Sequence, residues 1–220
     1  MNKNLSNRIL TSVLLLFVLS IGLFINKYLF LMLLIVSSFI SFNEFNILTR
    51  KAYKKKKNFL NIVQIFSILF FILFIYTGYD IYSRSPIVLI WIISICIFSD
   101  TGGFIIGKLV KGKKLTKISP NKTISGSIGS FIFSLIPLII PLTVDAFNYQ
   151  NSIHLSKLIM ITLLLSLICQ CGDLLISYFK RKANVKDAGS ILPGHGGLLD
   201  RIDGLIFVVP AAYLIDKTFF

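Results

Sequence analysis

The stretch Ser177–Asp203, SYFKRKANVKDAGSILPGHGGLLDRID, sets clustered lysine and arginine side chains, a glycine-rich turn and three aspartates between two apolar runs. Ionisable groups in or at the edge of a bilayer are expensive, so such a cluster points to function. The residue types suit a polyanion together with a divalent cation. Lysine and arginine neutralise phosphates, carboxylates hold a hard cation, and glycines let backbone N–H groups come close. Asp173, inside the preceding apolar run, belongs to this set. Helical spacing puts Ser177, Lys180 and Arg181 on its face, at offsets of four, seven and eight. A carboxylate one turn deep beneath two cations can hold a metal under a phosphate; the plainer alternative is an ion pair that eases burial. Asp200 and Asp203, three apart, share a face at the start of the last apolar run, where a helix N-terminus stabilises carboxylates and phosphates. Capping accounts for one of these acids, but not for two that flank Arg201 beside Gly194, Gly196 and Gly197.

A second group lies upstream. Asp100 interrupts an apolar run and is followed by Thr101, Gly102, Gly103, Gly107 and Lys108. Gly103 and Gly107 form a small-xxx-small pair that could serve only close helix packing, but packing does not account for Asp100. The following loop, KGKKLTKISPNKTISGS, offers lysines, hydroxyls and a proline-fixed turn, with Ser119, Lys122 and Thr123 as phosphate-binding candidates. No G-x-x-x-x-G-K-[ST] pattern occurs, so a soluble P-loop fold is not supported. His195, in Pro-Gly-His-Gly-Gly, reads as a hydrogen-bonding residue of a tight turn rather than a general base. Zinc is disfavoured, because the other histidine, His154, falls on the opposite side of the membrane scheme. Asn121-Lys122-Thr123 matches a glycosylation sequon, but on the expected inner face.

The elements that must carry these groups are apolar. The chain has 220 residues, 55% hydrophobic, with a mean hydropathy of +0.82, which points to an all-α, polytopic integral membrane protein. Seven spans are predicted, near 9–25, 28–48, 59–79, 87–110, 126–144, 158–179 and 198–215. The first follows Lys3 and Arg8 with no small-residue cleavage site, and reads as an uncleaved span. With the N-terminus in the cytoplasm, inner segments hold 19 of the 23 basic residues, all but Lys27, Arg84, Lys157 and Lys217. A net charge of +14 therefore reads as cytoplasmic loops facing anionic lipid rather than as a nucleic-acid surface. The run Lys54–Lys57 is such a lipid-surface feature. Of the nine acids, Asp80, Asp145 and Asp216 fall outside; Glu44, Asp100, Asp173, Asp187, Asp200 and Asp203 gather at inner ends of spans or in the last inner loop. Cys96, Cys169 and Cys171 lie in apolar runs, with neither disulfide nor zinc spacing, and read as fillers. A single membrane domain over residues 1–220 is expected, with 1–95 as scaffold and 96–220 as the catalytic half around the 177–203 loop.

Ser177, Lys180, Arg181, Lys186, Asp187, Pro193, His195, Gly196, Gly197, Asp200, Arg201 and Asp203 resemble, in order and spacing, the signature of the phosphatidate cytidylyltransferase (CDP-diacylglycerol synthase) family. Asp100-Thr101-Gly102, Gly107-Lys108, Ile118-Ser119-Pro120, Lys122-Thr123 and Gly172-Asp173 add to the resemblance, which covers the C-terminal half; residues 1–95 match mainly in hydropathy, with Arg8 and Glu44 as weak echoes. The chain departs from the family pattern at Ser125, Ile176 and Gly204, where members often carry glutamate, glutamate and serine. The resemblance implies transfer of the cytidylyl group of CTP to phosphatidic acid, giving CDP-diacylglycerol and pyrophosphate. It also implies Mg2+, held by Asp173 and Asp200 and, after them, Asp203, with Asp100 as an additional candidate. Lys180, Arg181, Lys186, Asp187 and Arg201 would be catalytic. Ser119, Lys122, Thr123, Ser177, His195, Gly196 and Gly197 would bind substrate. A bacterial inner (plasma) membrane with a cytoplasmic-side site is expected, with no nucleic-acid partner and a homodimer as one assembly. A CTP-dependent lipid kinase, such as a polyprenol kinase, could use a similar site but would move the γ-phosphate. An anion transporter would place ionisable groups near the midplane instead of on one side.

Overall fold

The computed structural model describes residues 3–54, 56–116, 118–120, 122–143, 155–194 and 196–219, with side chains for those between 10 and 215. Asn121, Asp145, His154 and His195 lie outside the described residues, as do the side chains of Arg8 and Asp216. The helices are α1 (Lys3–Phe24), α2 (Lys27–Ala52), α3 (Lys57–Arg84), α4 (Pro86–Val110), α5 (Ile124–Ser134), α6 (Ile139–Thr143), α7 (Leu155–Lys182), α8 (Leu199–Ile202) and α9 (Leu205–Phe219). Among the described residues there is no strand, only isolated bridges at Lys114–Thr123 and Leu192–Gly196. The protein is an all-α polytopic membrane protein, as its composition requires.

Five stretches are long and apolar enough to cross a bilayer: Lys27–Ala52, Lys57–Arg84, Pro86–Val110, Ile124–Thr143 and Leu155–Lys182. A shorter apolar helix covers Leu10–Phe24. The expected seventh span, 198–215, is not one helix: α8 ends at Ile202 and α9 begins at Leu205. The expected fifth is also interrupted, by a 3-10 turn at Ile136–Leu138 between α5 and α6. Pro137 and Pro141 lack the N–H that a continuous α-helix needs. Large apolar side chains such as Phe66, Phe104 and Leu142 point outward, as lipid-facing residues do. Thr49 and Thr162 turn their buried hydroxyls back onto their own helices, to Phe45 O at 3.0 Å and Leu158 O at 2.8 Å, which satisfies both donors within the apolar interior. Cys96 and Cys169 are buried free thiols and Cys171 is exposed.

The chain gathers into two compact units. The first comprises Met1–Tyr79 and Phe179–Ile202, the second Asp80–Tyr178 and Asp203–Phe220. In the first, α2 packs against α1 and α8. Phe45 meets the Phe179 ring edge-to-face at 5.1 Å, and Lys182 sits 4.0 Å over the Tyr53 ring. In the second, α4 packs along α5 at backbone distance. A Cβ at Gly102 would come within 2.5 Å of the Gly129 carbonyl oxygen, and one at Gly103 within 2.5 Å of Ser130 Oγ. The glycines therefore do serve close helix packing.

Candidate active site

The second unit contains a cavity of about 320 Å³ lined by α4, the following loop, α5 and α7. The loop is built to turn tightly. Lys111 leaves α4 with φ 57° and Gly112 follows with φ 110°, a region that glycine occupies freely. The loop then folds back on itself through Leu115 N–H to Lys122 O (2.8 Å) and Ile124 N–H to Lys113 O (3.0 Å). Thr123 caps α5, its hydroxyl accepting from Gly126 N–H at 3.0 Å. Ser125 donates to the Lys111 carbonyl, so this departure from the family pattern pins the loop's two ends together.

Oxygen-bearing groups face the cavity: Asp100, Ser119, Thr123, Ser127, Ser130, Gln170 and Asp173, together with Lys122. Asp173 is ion-paired with Lys122, the two side chains 25% and 27% exposed, so solvent and ligands can reach both. Ser177, one turn on, donates to Asp173 Oδ1 at 3.3 Å. Gln170, three residues before Asp173, accepts from Ser127 Oγ at 2.6 Å. Its amide nitrogen is buried with no hydrogen-bond partner among the described residues. Asp203, just before α9, accepts from the N–H of Gly204 at 2.9 Å. Gly204 packs on Cys169, where a Cβ would lie 2.5 Å from the sulfur, so the chain's departure from serine matches a space with no room for one. Ile176, another departure, is buried.

The first unit carries the glycine-rich loop. Beyond α7 the chain turns at Asn184 (φ 54°) and runs to a tight turn in which Leu192 and Gly196 exchange N–H···O bonds of 2.9 and 3.1 Å. Gly194 and Gly196 have φ of 77° and 85°. Asp200 organises the loop. Its Oδ1 accepts from Lys180 Nζ at 2.8 Å, and its Oδ2 accepts from Ala188 N–H (2.8 Å) and Gly197 N–H (3.0 Å). That pair is secluded, with Lys180 12% and Asp200 5% exposed. Glu44 of α2 accepts from Leu198 N–H (3.1 Å) and Leu199 N–H (2.8 Å). Arg181, Lys186, Asp187 and Arg201 are exposed.

The residues expected from the sequence therefore divide. Asp100, Ser119, Lys122, Thr123, Asp173, Ser177 and Asp203 belong to the second unit; Lys180, Arg181, Lys186, Asp187, Gly196, Gly197, Asp200 and Arg201 belong to the first. Asp173 finds its cation in Lys122, whereas Lys180, expected over Asp173, pairs with Asp200. Sequence reasoning passed over Gln170 and Ser127, although Gln170 lies on the Asp173 face at i−3.

Mg2+ prefers oxygen ligands, keeps several waters and is typically held by one or two carboxylates plus substrate phosphates. The cavity's donor set fits that pattern, with Asp100 and Asp173 as carboxylates and several hydroxyls beside them. Among the described residues no three His, Cys, Asp or Glu side chains gather to hold an ion. A cation in the cavity would complete its shell with phosphate and water oxygens.

Residues 63–219 match the Cytidylyltransferase family. The chain belongs to that family. Its relatives include a phosphatidate cytidylyltransferase of Staphylococcus saprophyticus, 52% identical over 114 residues that make up 51% of this chain and 42% of the relative. A phosphatidate cytidylyltransferase of Rickettsia prowazekii is 44% identical over 123 residues, 53% of each chain. One of Staphylococcus aureus is 52% identical over 114 residues, 51% of this chain and 42% of the relative. The chain spans about half the length of the curated relatives it matches. The family match covers the cavity of the second unit and all of the glycine-rich loop.

Proposed function

We propose that the protein transfers the cytidylyl group of CTP to phosphatidic acid, releasing pyrophosphate and forming CDP-diacylglycerol. The observation that carries this reading is the Asp173–Lys122 pair, facing an oxygen-lined cavity at one end of apolar helices in a chain of the cytidylyltransferase family. The names of the relatives supply the substrate class.

The chemistry asks little of a general base, because the lipid phosphate is already a nucleophile. One of its oxygens attacks the α-phosphorus of CTP as the bond from that phosphorus to the β-phosphate bridging oxygen breaks, and the electron pair leaves on pyrophosphate. The obstacle is the repulsion of two anions, so positioned positive charge carries the catalysis. Lys122 can exchange Asp173 for a phosphate oxygen, and the hydroxyls of Ser119 and Ser127 can orient others. Asp173 and Asp100 would hold Mg2+, which when bound neutralises charge on the phosphates. The sequence pattern adds Asp200 and Asp203 as ligands and Lys180, Arg181, Lys186 and Arg201 as phosphate-binding groups, and that part of the reading rests on the pattern alone. The same holds for the proposed setting: a bacterial plasma membrane with the site on its cytoplasmic side, argued from the lysine and arginine asymmetry of the loops.

The test is a reconstituted assay of the full chain with phosphatidic acid, Mg2+ and CTP labelled at the α- or the γ-phosphate. Label from the α-position in lipid is the expected result, lost on chelation of divalent cations. Label from the γ-position in lipid would identify a kinase instead, and absence of labelled lipid from folded protein would overturn the proposal.

A further inference from the structure

Glu44 is the chain's single glutamate. It lies in the apolar helix α2, 3% exposed, and forms no ion pair among the described residues. A carboxylate so placed needs hydrogen bonds to offset its desolvation. It finds them in the glycine-rich loop of the same unit, at the N–H groups of Leu198 and Leu199. The fit is steric as well as polar. A Cβ at Gly189 would lie 2.2 Å from Glu44 Oε1 and 2.6 Å from its Cδ, and its three nearest neighbours are all atoms of the Glu44 side chain. A Cβ at Gly197 would lie 2.6 Å from Glu44 Oε2. Gly189 does not have a left-handed φ, so backbone conformation does not demand glycine there; the carboxylate does.

We propose that Glu44 is the positioning residue of the glycine-rich loop. Its carboxylate fills the space left open by Gly189 and Gly197 and tethers the Leu198–Leu199 backbone, which fixes the register in which Asp200 accepts from Ala188, Gly197 and Lys180. Asp200 lies one residue beyond the tethered backbone, so a loop that slips from Glu44 loses Asp200's bonds next. The effect on cytidylyl transfer rests on the proposed function; the effect on loop order does not.

The experiment uses the full chain in lipid bilayers, with amide hydrogen exchange and transfer kinetics measured on Glu44→Ala, Glu44→Gln, Gly189→Ala and the double variant Glu44→Ala/Gly189→Ala. Loss of the tether in Glu44→Ala should speed exchange at Leu198 and Leu199 by at least about tenfold, the scale of a lost hydrogen bond to a charged group. It should lower kcat by a similar factor while KM for CTP moves less than about threefold. Glu44→Gln keeps one acceptor oxygen and should fall between wild type and Glu44→Ala in both readouts. Gly189→Ala should show the same loosening, and the double variant should be no worse than Glu44→Ala alone, because the added methyl then occupies vacated space. Native exchange in Glu44→Ala, or defects that multiply in the double variant, would overturn the proposal. Loosening in the variants alongside a wild-type protein that transfers no cytidylyl group would sink the functional reading and leave the tether standing.

Discussion

The cavity of the second unit and the glycine-rich loop of the first are both rich in carboxylates, but they use them in opposite ways. In the loop, Asp200 and Glu44 accept from four backbone N–H groups and one lysine, and each is at least nine-tenths buried. Their charge is consumed in holding main chain in place. In the cavity, Asp173 has one lysine and one hydroxyl as partners and is a quarter exposed, and Asp100 is exposed. Two acids of one pattern thus stand in different surroundings. Asp200 is held by amides and a lysine that a ligand must displace to reach it, whereas Asp173 is left partly solvated and can trade partners with an incoming ligand directly.

The largest effect that would test this contrast is at its two aspartates. Asp173→Asn should reduce transfer by about a hundred- to a thousandfold, the scale expected when positioned charge that steadies the reacting phosphates is lost. Its partly solvated setting limits the loss of stability to roughly 1 kcal/mol. Asp200→Ala should lower stability by about 3–5 kcal/mol, because it strands a buried lysine and two amides, and activity should fall with it. Thermal unfolding in detergent beside steady-state rates separates the two, and equal destabilisation by both changes would erase the distinction.

A smaller effect tests the frame of the cavity. Removing the α5 cap in Thr123→Ala should cost about 1 kcal/mol of stability, whereas Thr123→Ser, which keeps the oxygen, should cost less. Chemical denaturation would read both, and an unchanged midpoint for the alanine variant would mean the cap is redundant. The smallest effect is expected at Gln170→Leu, which removes a buried amide nitrogen with no partner among the described residues together with the oxygen that accepts from Ser127, so that gain and loss offset each other. Stability should change by less than about 1 kcal/mol, while KM for CTP rises about fivefold if the amide donates to the nucleotide, the worth of one neutral hydrogen bond. An unaltered KM would assign Gln170 to the wall rather than to binding.

Much of this was legible in the residues because hydropathy dominates a membrane chain. Apolar runs marked α2, α3, α4 and α7 to within a few residues, and helical offsets anticipated the Ser177–Asp173 bond. The misreadings lie where tertiary contact overrides a local pattern. A single span over 198–215 was expected, but the helix breaks between Ile202 and Leu205, where Gly204 is packed against Cys169. Lys180 was expected to serve Asp173 seven residues away, yet it pairs with Asp200, twenty residues on, because the intervening loop folds back. Lys122 and Asp173 are drawn together from distant segments, and Glu44 meets partners 154 and 155 positions away. No local periodicity encodes contacts of that range. Their trace in the sequence is a solitary glutamate in an apolar helix and glycines without an obvious turn to explain them.

The packing of α4 on α5 has a consequence for what the cavity can admit. Gly103 and Gly126 line it and also lie at the helix contact, where a Cβ at Gly126 would come within 2.8 Å of the Gly103 carbonyl oxygen. Along that side the enclosure is made of polypeptide backbone, which has no rotamers to rearrange. Such a wall cannot yield to an oversized guest or close around an undersized one. Selectivity on that flank is therefore a matter of fixed dimensions, and adaptation is left to the rotatable side chains of the remaining walls.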